Sequence, residues 1–343
     1  MSAQAPAVLR TPRLTLRPLE MTDADALVRG VGNYDVSRWL SVVPYPYTGE
    51  DAAWFLKKTI ESNAMVWAIC DSQGLQGVVG IDDGLGYWLA RTAWGKGYAF
   101  EAARAVVSHW FEDTARQFLT SAYFEGNARS GAVLHAVGFE ITGVAKREAR
   151  ALSQDVTAHE MTLSRARWET RQDFTVYTPR LALRPWKDGD ARALLDIITP
   201  GLTRGVASIA NDWTLADAEA AITRRQWQGY PGFMLGIEHK GTLIGGVGCG
   251  GDPLSIMYYL AETHWNQGFV SEAVSACLPE LFDRFPITTL VADHFEDNPA
   301  SGRILEKHGF HVTGDSMGTS KGRLEPCRVI TYAVTRETFK VAI

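Results

Sequence analysis

The chain carries the same segments twice, in the same order. Thr11-Pro12-Arg13-Leu14-Thr15-Leu16-Arg17-Pro18 returns as Thr178-Pro179-Arg180-Leu181-Ala182-Leu183-Arg184-Pro185, 167 residues on. Tyr87-Trp88-Leu89-Ala90 returns as Tyr258-Tyr259-Leu260-Ala261, and Asn127-x-x-Ser130 with Gly138-Phe139 returns as Asn298-x-x-Ser301 with Gly309-Phe310, both 171 residues on. Matches in one order at a nearly constant spacing mark a duplicated domain. Two copies are expected, at about 8–168 and 175–340, with the seam in the polar stretch Glu169-Thr170-Arg171-Gln172-Asp173. The domains are accordingly assigned as 1–170 and 171–343.

A length of 343 residues suits two domains of ordinary size, each able to bury a core without metal or disulfide staples. Thirty-four Lys and Arg against 39 Asp and Glu, net charge -5, argue against nucleic acid as the main partner, because that affinity rests on clustered positive charge. A small phosphorylated ligand is not excluded. Cys70, Cys249, Cys277 and Cys327 are far apart and form no Cys-x-x-Cys pair, which fits a reduced thiol set. The opening segment lacks an apolar stretch of signal-peptide length, and no run approaches 18 apolar residues. A cytoplasmic protein without membrane partners is the expectation.

Each copy reads as mixed α/β. Leu14 and Leu16 alternate with Thr15 and Arg17, the period of a strand with one buried face. Thr22-x-x-Asp25, Thr48-x-x-Asp51 and Thr214-x-x-Asp217 resemble capping boxes that open helices. Strands are expected at Met65–Cys70, Gly77–Ile81 and Leu85–Ala90. From Ala99 onward, Ala102, Ala103, Val106, Val107, Trp110 and Phe111 keep a helical period. A strand at Phe118–Phe124, a helix at Ser130–Val137 and closing strands through Met161–Leu163 complete the copy.

The most informative stretch is Trp94-Gly95-Lys96-Gly97-Tyr98-Ala99, between a strand and the long helix. Two glycines there let the backbone turn tightly and approach a ligand. The helix that follows begins with unpaired N–H groups and the positive end of its dipole, which together favour a phosphate or pyrophosphate. A glycine-rich turn with no ligand is equally compatible with this segment alone. No G-x-G-x-x-G fingerprint is present, since Phe100 holds the third glycine position, and Gly318-Thr319-Ser320-Lys321-Gly322 lacks the Walker spacing and reads as a loop.

Strand, Trp94-Gly95-Lys96-Gly97-Tyr98-Ala99-x-Glu101-Ala102, long helix, strand, Asn127-x-x-Ser130 and Gly138-Phe139 together resemble the GNAT superfamily of acyl-coenzyme A N-acyltransferases. Within it, the chain resembles the branch acetylating N-terminal alanines of ribosomal proteins. The resemblance implies two tandem α/β domains, each a mixed, mostly antiparallel central sheet flanked by helices. It implies acetyl-coenzyme A as donor, its pyrophosphate on the amides of Gly95 to Ala99 beside Trp94. The pantetheine arm would pair with the strand ending at Leu89-Ala90, and Asn127 would orient the next turn and bond the arm. Lys96 is either a charge contact to the cofactor or a solvated lysine. Gly268, Asn298 and Ser301 are the matching cofactor positions of the second copy.

Acyl transfer to an amine needs a base for the amine, a donor for the tetrahedral oxyanion and a proton for the departing thiolate. The resemblance gives the donor role to a backbone N–H near Leu89. Many relatives use a Tyr four residues before the Gly of the Gly-Phe pair; here Leu134 and Leu305 stand there. Ser130, three residues after Asn127, is the candidate hydroxyl: the resemblance implies that it protonates the thiolate, and a helix N-cap is the alternative. For the base, Glu125 shares a face with Asn127 if the strand persists that far, as do Glu296 and Asn298; Asp82 and Asp83 are the rivals. His135 reads as a helix-surface histidine, and His308-x-x-His311 is a weak metal pattern, so no metal is expected.

In the second copy Trp265-Asn266-Gln267-Gly268-Phe269-Val270 replaces one glycine by Asn266 and the small Ala99 by Val270, which predicts weaker diphosphate binding. Asp293 offers a base where the first copy has Ala122. The first copy is therefore expected to catalyse, with the second as a tethered partner in place of a homodimer mate. The acceptor, a protein N-terminus or small-molecule amine, would meet Trp39, Tyr45, Tyr47 and Trp54, unless these are ordinary core. The rival reading is a non-catalytic acyl-coenzyme A sensor or scaffold.

Overall fold

The computed structural model describes residues 6–187 and 189–341. They fall into two compact units that divide between Arg171 and Gln172. The first unit runs β1 (Leu9–Arg10), β2 (Thr15–Pro18), α1 (Ala24–Val31), α2 (Tyr34–Ser37), α3 (Gly49–Glu61), β3 (Met65–Asp71), β4 (Gly74–Ile81), β5 (Leu85–Leu89), α4 (Tyr98–Glu112), β6 (Phe118–Phe124), α5 (Ala128–Val137), β7 (Glu140–Ala149), β8 (Gln154–Ser164) and α6 (Arg165–Gln172). The second runs β9 (Val176–Tyr177), β10 (Leu181–Arg184), α7 (Asp190–Ile197), α8 (Pro200–Gly205), α9 (Leu215–Arg224), β11 (Phe233–His239), β12 (Thr242–Gly250), β13 (Ser255–Leu260), α10 (Phe269–Arg284), β14 (Thr289–Phe295), α11 (Pro299–Lys307), β15 (His311–Gly318) and β16 (Cys327–Thr335).

Each unit is one eight-stranded sheet flanked by helices. The orders are β1-β2-β3-β4-β5-β6-β8-β7 and, in the second, β15-β16-β14-β13-β12-β11-β10-β9. The two are the same arrangement read from opposite ends. Neighbours pair antiparallel except β5 with β6 and β13 with β14, which are parallel. Those parallel pairs meet at a single register position, Leu85 opposite Ser121 and Ser255 opposite Val291. Beyond it the strands diverge, so each sheet is split in the middle. The Ser121 hydroxyl seals the closed end by donating to the Leu85 carbonyl at 2.8 Å.

The alternation around Leu14 and Leu16 buries both against the core. The stripe on α4 packs Phe100, Ala102, Ala103, Val106, Val107 and Phe111 on the sheet, while Trp110 lies at its edge and donates to the Phe118 carbonyl. Thr48 and Thr214 cap α3 and α9 as expected, with Asp51 and Asp217 completing reciprocal boxes. Thr22-x-x-Asp25 is different. A short 3-10 turn, Met21–Asp23, precedes α1, and the Asp23 carboxylate instead accepts from the Glu20 N–H. Its carboxylate is drawn there by a two-pronged ion pair with Arg17, at 2.9 and 2.7 Å. Arg184 and Asp190 do the same in the second copy. The second arginine of the repeated segment thus ties β2 or β10 to the helix after it.

Candidate functional site

The splayed strands set the site. Ala90 N–H donates to the Gln76 carbonyl, and Gly77 lies opposite Leu89. Alternation along an antiparallel pair then turns the N–H groups of Trp88 and Ala90 toward β4 and those of Tyr87 and Leu89 away from it, into the split. The Leu89 carbonyl on that side is taken by the Trp94 indole N–H at 2.9 Å. Leu260 and Trp265 repeat the arrangement at 2.8 Å.

The turn Trp94–Ala99 closes over this edge. Gly95 and Gly97 hold φ of +78° and +75°, left-handed values in which a Cβ is strained. The first bond of α4 runs from Glu101 N–H to the Gly97 carbonyl, which leaves the amides of Gly97 to Ala99 outside the helical ladder at its positive end. The loop is clamped from beneath. Glu101, 3% exposed, accepts from the Thr11 hydroxyl at 2.6 Å, from Arg13 N–H at 2.8 Å and from Arg13 Nε at 2.7 Å. Arg13 Nη1 in turn donates to the Lys96 carbonyl at 2.8 Å. The repeated Thr-Pro-Arg segment is therefore the loop's scaffold. Lys96 itself is exposed, its ammonium 5.7 Å from the Tyr98 ring.

The second copy builds the same clamp from Thr178, Arg180 and Glu272, with Arg180 holding the Gln267 carbonyl at 3.0 Å. Asn266 takes φ +59° where Gly95 has +78°, and Gly268 keeps +78°. Asn is among the few side chains that accept this region. The Gly-to-Asn exchange thus leaves the turn's shape intact, and of the two substitutions expected to weaken binding only Val270 remains.

Asn127 is the N-cap of α5: its side-chain oxygen accepts from Ser130 N–H at 3.3 Å, and Asn298 does so for Ser301. The capping alternative for Ser130 is thereby excluded. Its hydroxyl lies 3.0 Å from the Tyr87 hydroxyl, which also contacts the Ser130 carbonyl at 3.2 Å. Tyr87 is the group that reasoning from sequence missed, although the repeated Tyr87 and Tyr258 held the signal. Burial pushes the Tyr87 phenol well above its ordinary range, with the Ser130 bond opposing. Tyr258 meets Ser301 Oγ at 2.9 Å, and burial raises it to about 12. Leu134 and Leu305 are fully buried core residues.

The carboxylates are scattered. The strand ends at Phe124, so Glu125 sits in an exposed turn before Gly126 (φ +86°) and does not share a strand face with Asn127. Glu296 is ion-paired with Arg328 at 3.0 Å. Asp82 and Asp83 are exposed at the Leu85 end of β5, on the order of 20 Å of extended chain from Leu89. In the second copy burial pushes the Asp293 carboxyl up against the opposing charge of His294, although the residue keeps solvent access.

The four aromatic residues do not form one pocket. Tyr47 packs into the α1–α3 core, Trp54 is exposed under Lys58, and Trp39 packs beside Phe124 and Ala158. Tyr45 is exposed and lies 5.0 Å from the Tyr34 ring. His135 is exposed on α5. His308 is buried between Ser275 and the Ile304 carbonyl, and among the described residues no His, Cys, Asp and Glu group is arranged for a metal. Among these residues, too, no helix is long and apolar enough to cross a membrane.

The family model of the acetyltransferase (GNAT) domain matches residues 13–140 and again 180–311. An uncharacterised N-acetyltransferase of Bacillus subtilis strain 168, YoaA, is 31% identical over 149 residues, covering 40% of this chain and 82% of that protein. A second, p20 of Bacillus licheniformis, is 24% identical over 168 residues, 45% of this chain and 94% of that one. Among solved structures, spermidine N-acetyltransferase from Vibrio cholerae in complex with CoA and spermine is 19% identical, covering 46% of this chain and 99% of that one, with a TM-score of 0.41. With two matches that together span more than half of its length, the chain belongs to the GNAT acetyltransferase family.

Proposed function

We propose that the first copy moves an acetyl group from acetyl-coenzyme A to a primary amine by direct attack within a ternary complex. The observation that carries this reading is the open β5 edge ending against a clamped helix N-terminus. An extended, amide-bearing arm needs the first, and a diphosphate needs the second. Trp94 to Ala99 would take the diphosphate, with Asn127 at the arm and Leu89-Ala90 pairing with it. The residues present fit such a group: outward amides, two left-handed glycines and no Cβ intruding at Gly95.

In this reading the amine attacks the thioester carbon, and the Leu89 N–H meets the oxyanion that forms. As the carbon–sulfur bond breaks, Ser130 gives its proton to the thiolate and Tyr87 passes its own to Ser130. The proton released by the amine returns to Tyr87 through water, restoring a phenol that is protonated at neutral pH between turnovers. Glu125, whose backbone N–H is held by the Thr157 carbonyl at 2.9 Å while its carboxylate faces solvent in the turn, first takes the amine's proton through water. In the second copy Gly268, Asn298 and Ser301 hold the matching places, and Asp293, with its raised pKa, is the base.

The test is free-thiol release from acetyl-coenzyme A across a panel of peptide N-termini and small amines. Turnover that Gly97→Trp abolishes while the fold is retained supports the reading. Tight coenzyme A binding without turnover on the whole panel refutes it and favours a sensor or scaffold.

A further inference from the structure

In the second copy Arg204, beside buried Leu202 and Thr203 on α8, holds the carboxylate of Asp297. Its Nε and Nη2 reach Asp297 Oδ2 at 3.0 and 2.9 Å. Arg323 grips the same carboxylate, Nη1 to Oδ2 at 3.0 Å, and the two guanidiniums hold its pKa below the usual range. The first copy repeats the pattern on α2, where buried Val36 and Ser37 precede Arg38. The residue just before the α5 cap, however, is Gly126 where the second copy has Asp297.

Arg38 consequently has no carboxylate partner among the described residues. Its guanidinium lies 4.9 Å from the Trp39 ring and 5.7 Å from the Tyr34 ring. Its Nε is buried without a hydrogen-bond partner. Buried donors are rarely left unmade, and this is the atom with which Arg204 grips Asp297. The position of α2 adds to the case. Asp35 is ion-paired with Arg91, just past the end of β5, and Trp39 lies against Gly126, just past the end of β6. Between these anchors Arg38 is held at the mouth of the split.

We propose that Arg38 determines acceptor specificity in the first copy by binding a carboxylate on the acceptor, in the place that Asp297 fills in the second. The inference rests on the amine-acetylation reading and narrows it: the acceptor is an amine that also bears a carboxylate. A guanidinium edge matches two carboxylate oxygens, or one shared between two N–H groups, better than any neutral group does. The second copy, its arginine already satisfied, does not share the preference.

The experiment uses the full chain and matched acceptors. One arm compares Ala-Asp-Ala-Ala-amide with Ala-Asn-Ala-Ala-amide, a side-chain carboxylate; the other compares alanine with alaninamide, the carboxylate of a free amino acid. Thiol release gives kcat/KM. The acid twin in one arm is expected to lead by roughly ten- to a hundredfold, and that arm names the source. Arg38→Gln erases the lead without slowing the amide twin, and Arg38→Lys restores part of it. Equal use of the twins by the unaltered protein, or equal slowing of both by Arg38→Gln, overturns the proposal.

A second readout needs no turnover. N-acetylaspartate, which has carboxylates and no amine, is titrated while the arginine Nε–H resonances are followed by NMR. The resonance missing from Arg38→Gln is expected to shift. Its failure to shift overturns the Arg38 assignment even where thiol is released. A shift without thiol release from any acceptor sustains carboxylate binding and removes amine acetylation alone.

Discussion

Glu101→Gln isolates the clamp under the Trp94–Ala99 turn. The carboxylate is 4% exposed in its side chain and the Arg13 guanidinium 51%. A glutamine keeps one oxygen for the Thr11 hydroxyl and the Arg13 N–H, but sets an NH2 against Arg13 Nε and Nη2, now 2.7 and 2.6 Å from Oε2. A hydrogen bond to a charged group contributes about 1.5–3 kcal/mol, and the half-exposed guanidinium places this pair toward the lower end. The expected loss is about 2 kcal/mol in the first unit, or roughly 4–8 °C in its unfolding midpoint. Arg13 would also release the Lys96 carbonyl. Losing that preorganisation should weaken coenzyme A binding to the first copy about fivefold, equivalent to about 1 kcal/mol. Calorimetry gives both numbers, and Glu272→Gln is the control, since it should move only the second unit's transition. A first-unit midpoint and a coenzyme A affinity both unchanged by Glu101→Gln would refute the reasoning.

Ser130→Ala should lower kcat more than it raises KM, because the hydroxyl acts on the departing thiolate; Tyr87→Phe should do so less, since Ser130 remains, and equal KM effects with unchanged kcat would count against the relay. Gly95→Asn should leave the fold and coenzyme A binding near normal, because Asn266 takes φ +59° at the matching position of the second copy without disturbing the turn. Gly97→Ala should cost about 1 kcal/mol or more, because its Cβ is strained at φ +75° and stands 3.2 Å from Arg13 Nη2; denaturation of the two variants ranks them. Burial alone would raise the pKa of Glu272, but bonds from Thr178 and Arg180 bring it below its ordinary 4.5. Burial would likewise raise Asp23, and Arg17 brings it below 3.8. Their contributions are complete above those ordinary values and are lost as pH falls through the lower folded ones. Acid unfolding should therefore begin below about pH 4.5, and Arg180→Met should flatten the second unit's dependence.

Duplication, the mixed α/β character of each copy and a glycine turn between a strand and a long helix were all legible in the order of residues, while the mostly antiparallel sheet was implied by the family resemblance. Repeats, strand periods and glycines between a strand and a helix are local signals, written in neighbouring positions. The sequence also carried Asn127 and Ser130 as a pair, yet left open which of them caps α5. The cap is settled locally, by the Asn127 side chain on Ser130 N–H, but what the freed Ser130 hydroxyl meets is decided only by folding, which brings Tyr87 from forty-three residues away. Tertiary structure also separated what sequence proximity joined: Glu125 leaves the strand before it can share a face with Asn127, and Tyr47 goes to the core while Trp54 faces water. It likewise gave the repeated Thr-Pro-Arg its purpose, since Arg13 and Glu101 meet only when the turn between β1 and β2 comes against the start of α4. Local patterns fix which elements form, through period and backbone freedom. Which charged and hydroxyl groups find one another depends on strand order and on the split between β5 and β6, and no segment specifies those alone.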